Sequence, residues 1–389
     1  MISVADALDA LFDLVDPLAA ETVDLRQAAG RVLARGVHAL RTQPPFDASS
    51  MDGYAVKAEE VEQDALFKVI GEAAAGHAWD GTLGPGQAVR IFTGAPIPAG
   101  ASFVVIQEDV DRKGDLITIT GAPDKDNIRP AGGDFKTGDV LSAPRRLAPA
   151  DIAVLASMNI AQVPVVRQPV VALISTGDEL VMPGETPRPD QIIASNTFGL
   201  AAMLENQGAS VRVLPIARDN PASLSQAFTL AQGVDLIVTI GGASVGDHDI
   251  VADVAQQSGM EQAFYKVAMR PGKPLMAGRM GNTPMIGLPG NPVSALVCGT
   301  VFLSPVLRKM LNQGAAPCAT RPARLAAALP ANGPRAHYMR AKSSDTGVSA
   351  FASQDSSLLM VLSEADVLIV REPHAPPLAA GETVNVIDI

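Results

Sequence analysis

Aromatic residues and cysteines are scarce in this 389-residue chain. The first scarcity limits which side chains can fill the cores, and the second argues against a disulfide-rich protein. Aromatic residues make up only 4%, so valine, leucine, isoleucine, alanine and methionine must fill the cores of a chain that is 47% hydrophobic. The two cysteines, Cys298 and Cys318, show no metal-ligand spacing and do not predict a disulfide framework. Cys298 lies in an apolar helical run, which is typical of a core position.

A net positive charge, membrane-length apolar runs and a secretion signal are also lacking. The net charge of -11 argues against nonspecific binding to nucleic acid or to an anionic membrane, although a cleft with a few local cations could still take an anionic small molecule. We find no apolar run that approaches the roughly 18 residues of a membrane span. The first residues, MISVADALDALFDLV, contain three aspartates and no cationic stretch. These features predict a soluble cytoplasmic protein without a membrane or nucleic-acid partner.

Several common catalytic signatures are missing. There is no GxxxxGK[ST] phosphate loop and no GxGxxG dinucleotide fingerprint, which disfavours an ordinary kinase or NAD enzyme. The five histidines are scattered without an HxxxH or HExxH pattern, and no Ser-His-Asp arrangement is evident. Only His248 lies near the candidate chemistry, and its position favours a loop residue over a catalytic base.

The hydrophobic pattern predicts several domains of mixed class, consistent with the length of the chain. Ser3 and Asp6 resemble a capping box that opens a helix ending near Pro17, and a second helix is expected over 24–30. Short β-rich runs follow from about 44 to 140, and 147–160 reads as a helix with Asp151 as a possible N-cap. From about 168 strands and helices alternate, which indicates a mostly parallel sheet with helices on both faces. After Pro317 the runs indicate a short all-β module.

The unusual residues of the alternating segment fall where its strands end. These positions comprise STGDEL with Asp178 and Glu179, ARDN with Asp219, IGGASVGDHD with Ser244, Asp247 and Asp249, KVAMRPGKP with Lys266, Arg270 and Lys273, and GLPGNPVSA with Ser294. If the strands are parallel, these loops share one edge of the sheet, where ligands of such folds bind.

Their chemistry suits a phosphorylated ligand and a divalent cation. Glycine allows main-chain N–H groups to approach phosphate closely, and the three cations within 266–273 can compensate a polyanion. Carboxylates in the same crevice would repel phosphate unless Mg²⁺ bridged them, and Asp249 is the first candidate ligand. Simpler readings exist for each part: a glycine-rich turn, a helix cap at Asp247, and surface charges at Lys266 and Arg270.

A second group of polar residues lies in the β-rich segment. PPFDASSMDGYAV places Asp47 and Asp52 around Ser49 and Ser50, IFTGAPIPAG presents Thr93, and NIRPAGGDF sets Arg129 near Asp134. Turns and local ion pairs explain these spacings as well as a binding site does.

Together these motifs resemble the molybdopterin molybdenumtransferase family, the MoeA proteins and the gephyrin E domain. The motifs that carry the resemblance run in order from 44 to 295, and MDGYAV and GLPGNPVS are its most specific parts. The resemblance implies an elongated domain of 1–43 with 138–167, a β-rich domain of 44–137, a three-layer α/β molybdopterin-binding domain of 168–316, and a β-barrel-like domain of 317–389.

The implied activity is molybdenum insertion: adenylated molybdopterin and molybdate are bound, the pyrophosphate bond is cleaved with Mg²⁺, and AMP is released. The resemblance also implies a homodimer whose cleft is shared between subunits. Further possible partners are a molybdopterin adenylyltransferase and molybdoenzyme maturation factors.

Residues are assigned by the same resemblance. Catalytic positions are Asp52, Thr93, Arg129, Asp134, Glu179, Asp219, Asp249, Lys266, Arg270 and Lys273, with Glu179, Asp219 and Asp249 as metal ligands. Ligand-binding positions are Ser175, Thr176, Gly177, Asp178, Gly241, Gly242, Ser244, Gly246, Pro289, Gly290, Asn291, Pro292, Ser294, Arg340 and Ser356.

Three departures from the family pattern are visible. Arg270 often appears as lysine, and Gly133 replaces an acid in the segment 132–134. Asp355 stands where glycine is usual before Ser356, which suits an oxyanion site only if the carboxylate points away. Two other interpretations stay open: a molybdopterin adenylyltransferase, whose fold resembles 168–312 alone, and a non-catalytic scaffold like the gephyrin E domain.

Overall fold

The computed structural model describes residues 1–242 and 250–389 of the chain. The described residues form two compact units. Unit 1 consists of Met1–Glu21, Gly30–Ala34 and Val165–Ile389, and unit 2 consists of Thr22–Ala29 and Arg35–Pro164. The four domain boundaries given above are finer than this division and stay a prediction.

The centre of unit 1 is a six-stranded sheet, as the β-α alternation predicts. Its strands lie in the order Ser210–Val213, Val170–Ser175, Leu236–Ile240, Thr283–Leu288, Met276–Met280 and Met260–Tyr265. The first four are parallel, and Met276–Met280 runs antiparallel to both of its neighbours. Met260–Tyr265 therefore points the same way as the first four. The carboxyl ends of the five predicted strands meet at one edge, and Met276–Met280 is a sixth strand that the sequence did not predict.

Apolar side chains cover both faces of this sheet. Val171 and Leu173 belong to one core, and Ala172 and Ile174, which alternate with them, belong to the other. This explains why the strands are continuous hydrophobic runs without polar alternation. Apart from one short helix in the carboxy-terminal part, the described helices of unit 1 are Val4–Leu14, Asn196–Asn206, Pro221–Leu230, Ile250–Gln257, Pro292–Cys298 and Ser304–Met310, with a π-helical segment at Gly299–Leu303 between the last two.

The run Pro292–Met310 is long and apolar enough, by length and composition, to cross a membrane, and the prediction that no run approaches that length was wrong. Its most apolar 18-residue window is 72% buried within the protein. Val293, Cys298, Phe302 and Leu307 all lie in the main core of unit 1. Burial of this kind is what a central helix of a packed domain shows.

Two of the three capping and helix predictions for the first 160 residues need correction. Ser3 Oγ accepts the Asp6 N–H at 3.0 Å and Asp6 Oδ2 accepts the Ser3 N–H at 3.3 Å, so the capping box is confirmed. The expected helix over 24–30 is wrong: Ala20–Asp24 is a strand, followed by one 3-10 turn at Leu25–Gln27. Asp151 is not an N-cap; it lies inside the helix Pro149–Ser157 and its Oδ2 accepts the Ala148 N–H at 2.9 Å.

The carboxy-terminal part of unit 1 is the predicted β module. Its sheet contains Met269–Arg270, Ala336–Ser344, Val367–Arg371, Thr383–Asp388 and Arg321–Arg324 in that order, and Gly347–Ala350 pairs with Ala336–Ser344. A short helix, Leu359–Ser363, was not predicted. Because Met269–Arg270 belongs to this sheet, the basic loop 266–273 connects it directly to the central sheet.

Unit 2 is β-rich, as expected. Its main sheet has the order Phe103–Ile106, Gly53–Val56, Gln87–Ile91, Leu66–Ala73, Leu116–Ile119 and Val110–Lys113. Two short antiparallel pairs join Val37–His38 to Val140–Leu141 and Ala48–Ser49 to Ile128–Arg129. The remaining short strands of the chain are Val32–Leu33, Arg145–Arg146, Gln162–Val166, Leu180–Val181 and Ile192–Ile193.

Candidate functional site

A pocket of about 610 Å³ lies at the carboxyl edge of the central sheet. It is formed entirely by unit 1. Eleven of the residues assigned from the sequence line it: Ser175, Thr176, Gly177, Glu179, Asp219, Gly241, Gly242, Pro289, Gly290, Asn291 and Pro292. Since these come from four separate strand ends, the parallel sheet brings together residues that are more than 100 positions apart in the sequence.

The first two loops of this pocket are joined to each other by hydrogen bonds. Gly177 N–H donates to Ala217 O at 3.1 Å, and Asp219 N–H donates to Asp178 Oδ1 at 3.3 Å. The Arg218 guanidinium donates to Asp178 O at 3.0 Å and to Leu180 O at 3.4 Å, on either side of Glu179. These bonds hold Glu179 and Asp219, two of the three proposed metal ligands, at the same pocket. Asp178 does not line the pocket but accepts hydrogen bonds that connect the two loops.

Glycines in the next two loops allow their backbones to pack closely. A Cβ added to Gly241 would lie 2.8 Å from Thr176 O, whereas one added to Gly290 would lie 3.4 Å from the Cα of Gly241, an ordinary contact distance. Gly241 N–H donates to Leu288 O at 3.0 Å. Part of the reason for glycine at 241 is therefore this close approach of neighbouring loops, and not ligand contact alone.

The sequence assignment missed the segment 192–196, which forms another wall of the pocket. Asn196 is the first residue of its helix, and its Nδ2 donates to Gly290 O at 2.7 Å, which fixes the turn at the start of the helix Pro292–Cys298. Ser175 and Thr197 are both buried and share a hydrogen bond between their hydroxyl groups. A local signal for this segment is the run SNTFGL at 195–200, which places Ser195 and Asn196 at the start of the helix.

One wall of the pocket is apolar. Leu180, Ile192 and Ile193 line it, from two short parallel strands. Ile192 is 59% exposed and Ile193 is 37% exposed, which is unusual for isoleucine in a short strand. The pocket therefore combines a hydrophobic wall with polar loops, the arrangement expected for a ligand that has a flat organic part and a charged part.

No residue of the basic loop 266–273 lines the pocket, so Lys266, Arg270 and Lys273 are not among its lining residues. The next residue, Pro274, does line it. Lys266 has a positive φ of 70°, and its Nζ lies 4.6 Å from the centroid of the Tyr265 ring. A non-glycine residue in this conformation stores local strain, which is common at functional sites.

Arg340 is buried, whereas a residue that binds an oxyanion in an open pocket would be exposed. Its side chain is 1% exposed, and its guanidinium donates to Leu358 O at 3.0 Å, Asp355 O at 2.9 Å and Ser353 O at 3.4 Å. Burial lowers the pKa of Arg340 from its usual value. Arg340 thus fixes the loop 353–358, which carries the serines next to the pocket.

Within that loop Ser357, rather than Ser356, lines the pocket. The Ser356 carbonyl accepts the Val293 N–H at 3.0 Å, which ties the loop to the helix Pro292–Cys298 that also holds the buried Ser294. Asp355 Oδ1 accepts both the N–H and the hydroxyl of Ser357, at 2.8 and 2.7 Å. The carboxylate of Asp355 is therefore turned onto Ser357, and these two bonds lower its pKa.

The four assigned residues of unit 2 are all described. Asp52 Oδ1 accepts the N–H and the hydroxyl of Thr93, both at 2.8 Å, and these bonds lower the pKa of Asp52. Arg129 and Asp134 are exposed and form no ion pair with each other among the described residues. Asp47 instead ties this loop, since its Oδ1 accepts the Ala131 N–H at 2.7 Å.

Ser244, Gly246, Asp247, His248 and Asp249 lie outside the described residues. Within 1–242 and 250–389, no three histidine, cysteine, aspartate or glutamate side chains form a metal-binding group. Glu179 and Asp219 are exposed carboxylates on the wall of one pocket, so their oxygen donors fit a hard divalent cation such as Mg²⁺.

Comparison with known protein families gives three consecutive matches. Residues 2–159 match the MoeA N-terminal region (domain I and II), 172–309 match a probable molybdopterin binding domain, and 322–389 match the MoeA C-terminal region (domain IV).

Individual proteins show the same similarity. The chain is 35% identical over 383 residues to a molybdopterin molybdenumtransferase from Haemophilus influenzae, covering 95% of this chain and 94% of that protein. It is 39% identical over 325 residues to a molybdopterin molybdenumtransferase from Nostoc sp., covering 80% and 74%. A crystal structure of a molybdopterin biosynthesis MoeA protein from Pyrococcus horikoshii OT3 superposes with a TM-score of 0.85 at 25% identity, with both chains fully covered.

Proposed function

The chain belongs to the molybdopterin molybdenumtransferase (MoeA) family, and from this membership we propose that it is a molybdenum insertase of molybdenum cofactor biosynthesis. Its substrates are adenylated molybdopterin and molybdate. An oxygen of molybdate or water attacks a phosphorus of the pyrophosphate link, the anhydride P–O bond breaks and AMP leaves. The two dithiolene thiols bind molybdenum, and one oxo ligand of molybdate leaves as water with their two protons. In this proposal the reaction takes place in the cytoplasm.

The observation that carries this proposal is the pocket at the carboxyl edge of the central sheet. Its loops offer main-chain N–H groups at glycines and two carboxylates, Glu179 and Asp219. When bound by Glu179, Asp219 and Asp249, Mg²⁺ would neutralise the charge that develops on the leaving phosphate. Positioning and electrostatics supply the catalysis, so a covalent nucleophile is not required.

The apolar wall of the pocket suits the pterin part of the proposed substrate. Leu180, Ile192 and Ile193 can cover a flat heterocycle, while the polar loops around Thr176 and Gly241 hold the phosphates. The loop 266–273 and Ser294 supply the molybdate contacts in this proposal, and the buried Arg340 acts indirectly by holding the loop 353–358.

The direct test is product analysis with purified protein, adenylated molybdopterin, molybdate and Mg²⁺. We expect AMP and molybdenum-loaded pterin in equal amounts. Asp219→Asn and Glu179→Gln should each slow AMP release by about 100-fold or more, comparable with the loss of one preorganised electrostatic contact. Asp190→Asn is the matched control, because Asp190 is an exposed acid that pairs with Arg188 in a surface salt bridge. Normal AMP release by both pocket variants would contradict the proposal.

We also propose a homodimer in which Asp52, Thr93, Arg129 and Asp134 of one subunit complete the cleft of the other. Light scattering should give twice the 40.2 kDa mass of the chain. Mixing Asp52→Asn and Asp219→Asn subunits should restore activity that neither variant has alone, since one cleft of the mixed dimer would be intact. No recovery after verified subunit exchange would refute the shared cleft.

The adenylyltransferase alternative predicts use of ATP and free molybdopterin, and the scaffold alternative predicts no turnover. The family matches at 2–159 and 322–389 favour the insertase, because the adenylyltransferase resembles only the central segment. Supplying ATP with unadenylated pterin in the same assay separates the three: pyrophosphate release would identify an adenylyltransferase.

A further inference from the structure

Arg90, near the end of the strand Gln87–Ile91 in unit 2, contacts two aromatic rings. Its guanidinium carbon lies 5.0 Å from the centroid of the Tyr54 ring and 4.8 Å from that of the Phe92 ring. Both distances are within the roughly 6 Å over which a cation is attracted to a ring face. The strand register explains the contacts, because Tyr54 is directly opposite Arg90 in the antiparallel pairing with Gly53–Val56 and Phe92 follows two residues later.

The guanidinium of Arg90 also donates hydrogen bonds. Its Nη1 donates to Gly53 O at 3.2 Å, and its Nη2 donates to Gln107 Oε1 at 2.7 Å. Gly53 begins the neighbouring strand, and Gln107 follows the end of the next strand, Phe103–Ile106. Arg90 therefore connects three adjacent strands at one end of the sheet. A flat, forked guanidinium can make ring contacts and directed hydrogen bonds together, which an ammonium group cannot.

The residues that Arg90 holds flank the pair formed by Asp52 and Thr93. Gly53 follows Asp52 in the chain, and Phe92 precedes Thr93. The two hydrogen bonds from Thr93 to the Asp52 carboxylate, both of 2.8 Å, depend on the positions of both segments. A displacement of Gly53 or Phe92 would therefore lengthen them.

The link between Arg90 and Asp52 is indirect. Asp52 O accepts the Gln107 N–H at 3.0 Å, and Arg90 holds the side chain of that same glutamine. Within the described parts of the chain, no salt bridge joins Arg90 to Asp52 or to another carboxylate. The N–H and the hydroxyl of Thr93 are the main cause of the lowered pKa of Asp52, and the positive charge of Arg90 contributes least. Arg90 thus supplies geometry more than charge.

We propose that Arg90 is a positioning residue for the reaction, because its guanidinium holds Asp52 and Thr93 in the arrangement in which they complete the shared cleft. The place of this pair in the cleft rests on the proposed function. Arg90 acts through Gly53, Phe92 and Gln107, so it needs no contact with the substrate.

The test compares two substitutions of Arg90. Arg90→Gln removes the charge and the fork, whereas Arg90→Lys keeps the charge and loses the fork. Both should slow AMP release by about 10- to 100-fold, as displacement of a reacting group does. Arg112→Gln is the matched control, because Arg112 is an exposed arginine of the same sheet that donates to Gly114 O, and it should release AMP as the unmodified protein does. Full activity of Arg90→Lys would overturn the proposal, since charge alone would then suffice.

NMR separates positioning from a general loss of stability. In Arg90→Gln the amide proton of Thr93 should shift upfield as its bond to Asp52 lengthens, and carboxyl ¹³C titration should show a raised pKa of Asp52. Unchanged signals of both residues, in a variant shown by urea denaturation to be folded, would overturn the proposal.

Phe92→Leu provides the same test if Arg90→Gln does not fold. This variant leaves Arg90 in place and removes one of its two aromatic partners. The amide proton of Thr93 should shift in the same direction by a smaller amount, and AMP release should slow. A Thr93 signal and a rate equal to those of the unmodified protein would contradict the positioning role.

Subunit mixing assigns the effect to one half of the cleft. Arg90→Gln mixed with Asp219→Asn should recover activity, because one cleft of the mixed dimer is intact. Arg90→Gln mixed with Asp52→Asn should not recover, because both substitutions damage the same half. Recovery in this second mixture would overturn the proposal.

The outcomes keep this inference apart from the proposed function. If the unmodified protein releases no AMP, the insertase function is refuted, and the Thr93 and Asp52 signals still decide whether Arg90 holds the pair. Normal AMP release by both the unmodified protein and Arg90→Gln would refute only the positioning role.

Discussion

The Glu179 carboxylate lies directly over Gly177. A Cβ added at Gly177 would come within 2.4 Å of Glu179 Oε2 and 2.7 Å of Oε1, closer than any real contact of this kind. Gly177 also has a φ of 150°, which residues other than glycine rarely adopt. The position of a proposed metal ligand therefore depends on the absence of a side chain two residues earlier.

Gly177→Ala should therefore displace Glu179 and weaken the response of AMP release to Mg²⁺. We expect the Mg²⁺ concentration for half-maximal rate to rise by about tenfold or more, in the range seen when a metal site loses a supporting interaction. A titration of rate against Mg²⁺ measures this directly.

Gly184→Ala is the matched control for backbone strain. Gly184 has a φ of 92°, but a Cβ there would meet no atom within 4 Å. Both variants should lose stability by about 1 kcal/mol from the strained backbone, while only Gly177→Ala changes the Mg²⁺ response. Equal Mg²⁺ responses would show that the position of Glu179 does not matter.

The pKa of Asp52 should rise in Thr93→Val. The largest cause of its lowered pKa is the hydrogen bond from the Thr93 N–H, followed by that from the Thr93 hydroxyl; Arg90 contributes less. Valine removes the hydroxyl and keeps the shape, so we expect a partial rise toward the ordinary value of an aspartate. Carboxyl ¹³C NMR titration measures the change. Thr93→Ser should leave the pKa low, and a rise in that variant would mean that methyl packing, not the hydroxyl, is responsible.

Much of the fold follows from the sequence because its signals are local. The apolar run Leu236–Ile240 is buried from end to end, and the Ser3 and Asp6 spacing specifies a capping box. Met276–Met280 was missed because it has neither β-branched residues nor alternation, and Gly278 interrupts it. The helix expected over 24–30 fails because the neighbouring residues Ala20–Asp24 pair with a distant strand, which overrides local helix preference.

The candidate site divides in a similar way. Residues at strand ends, such as Thr176 and Asp219, could be placed from the parallel topology alone. Asn196, Ile192 and Ser357 could not, because their places in the pocket depend on loop conformations that no local pattern encodes. The resemblance assigned Arg340 to molybdate, but it did not reveal the three carbonyls that its guanidinium holds.

Arg340→Lys should loosen the loop 353–358 even though the charge is kept. An ammonium group cannot reach Ser353, Asp355 and Leu358 with the fixed fork of a guanidinium. Loss of two such bonds should lower the free energy of unfolding by about 2–4 kcal/mol, measured by urea denaturation, and should expose the loop to protease. Arg321→Lys, at an exposed ion pair, should change stability by less than about 1 kcal/mol. Similar losses in both variants would show that the buried bonds of Arg340 contribute little.

His337 should make the protein less stable as the pH falls from about 6.5 towards 4. Its pKa is near 6.5 in an unfolded chain and about 4 in the fold, where burial and then Arg270, Arg335, Arg340 and Arg371 oppose its protonation. Between these values the unfolded chain binds more protons than the folded one, so the contribution of His337 is complete above pH 6.5 and is lost as the pH approaches 4. The loss amounts to roughly 3 kcal/mol at pH 4.

In His337→Gln the group is absent, so the unfolding free energy should fall less steeply over this range than in the unmodified protein. His77→Gln, at an exposed position, should follow the unmodified protein. Parallel pH curves for His337→Gln and the unmodified protein would mean that burial and the surrounding arginines do not keep His337 neutral.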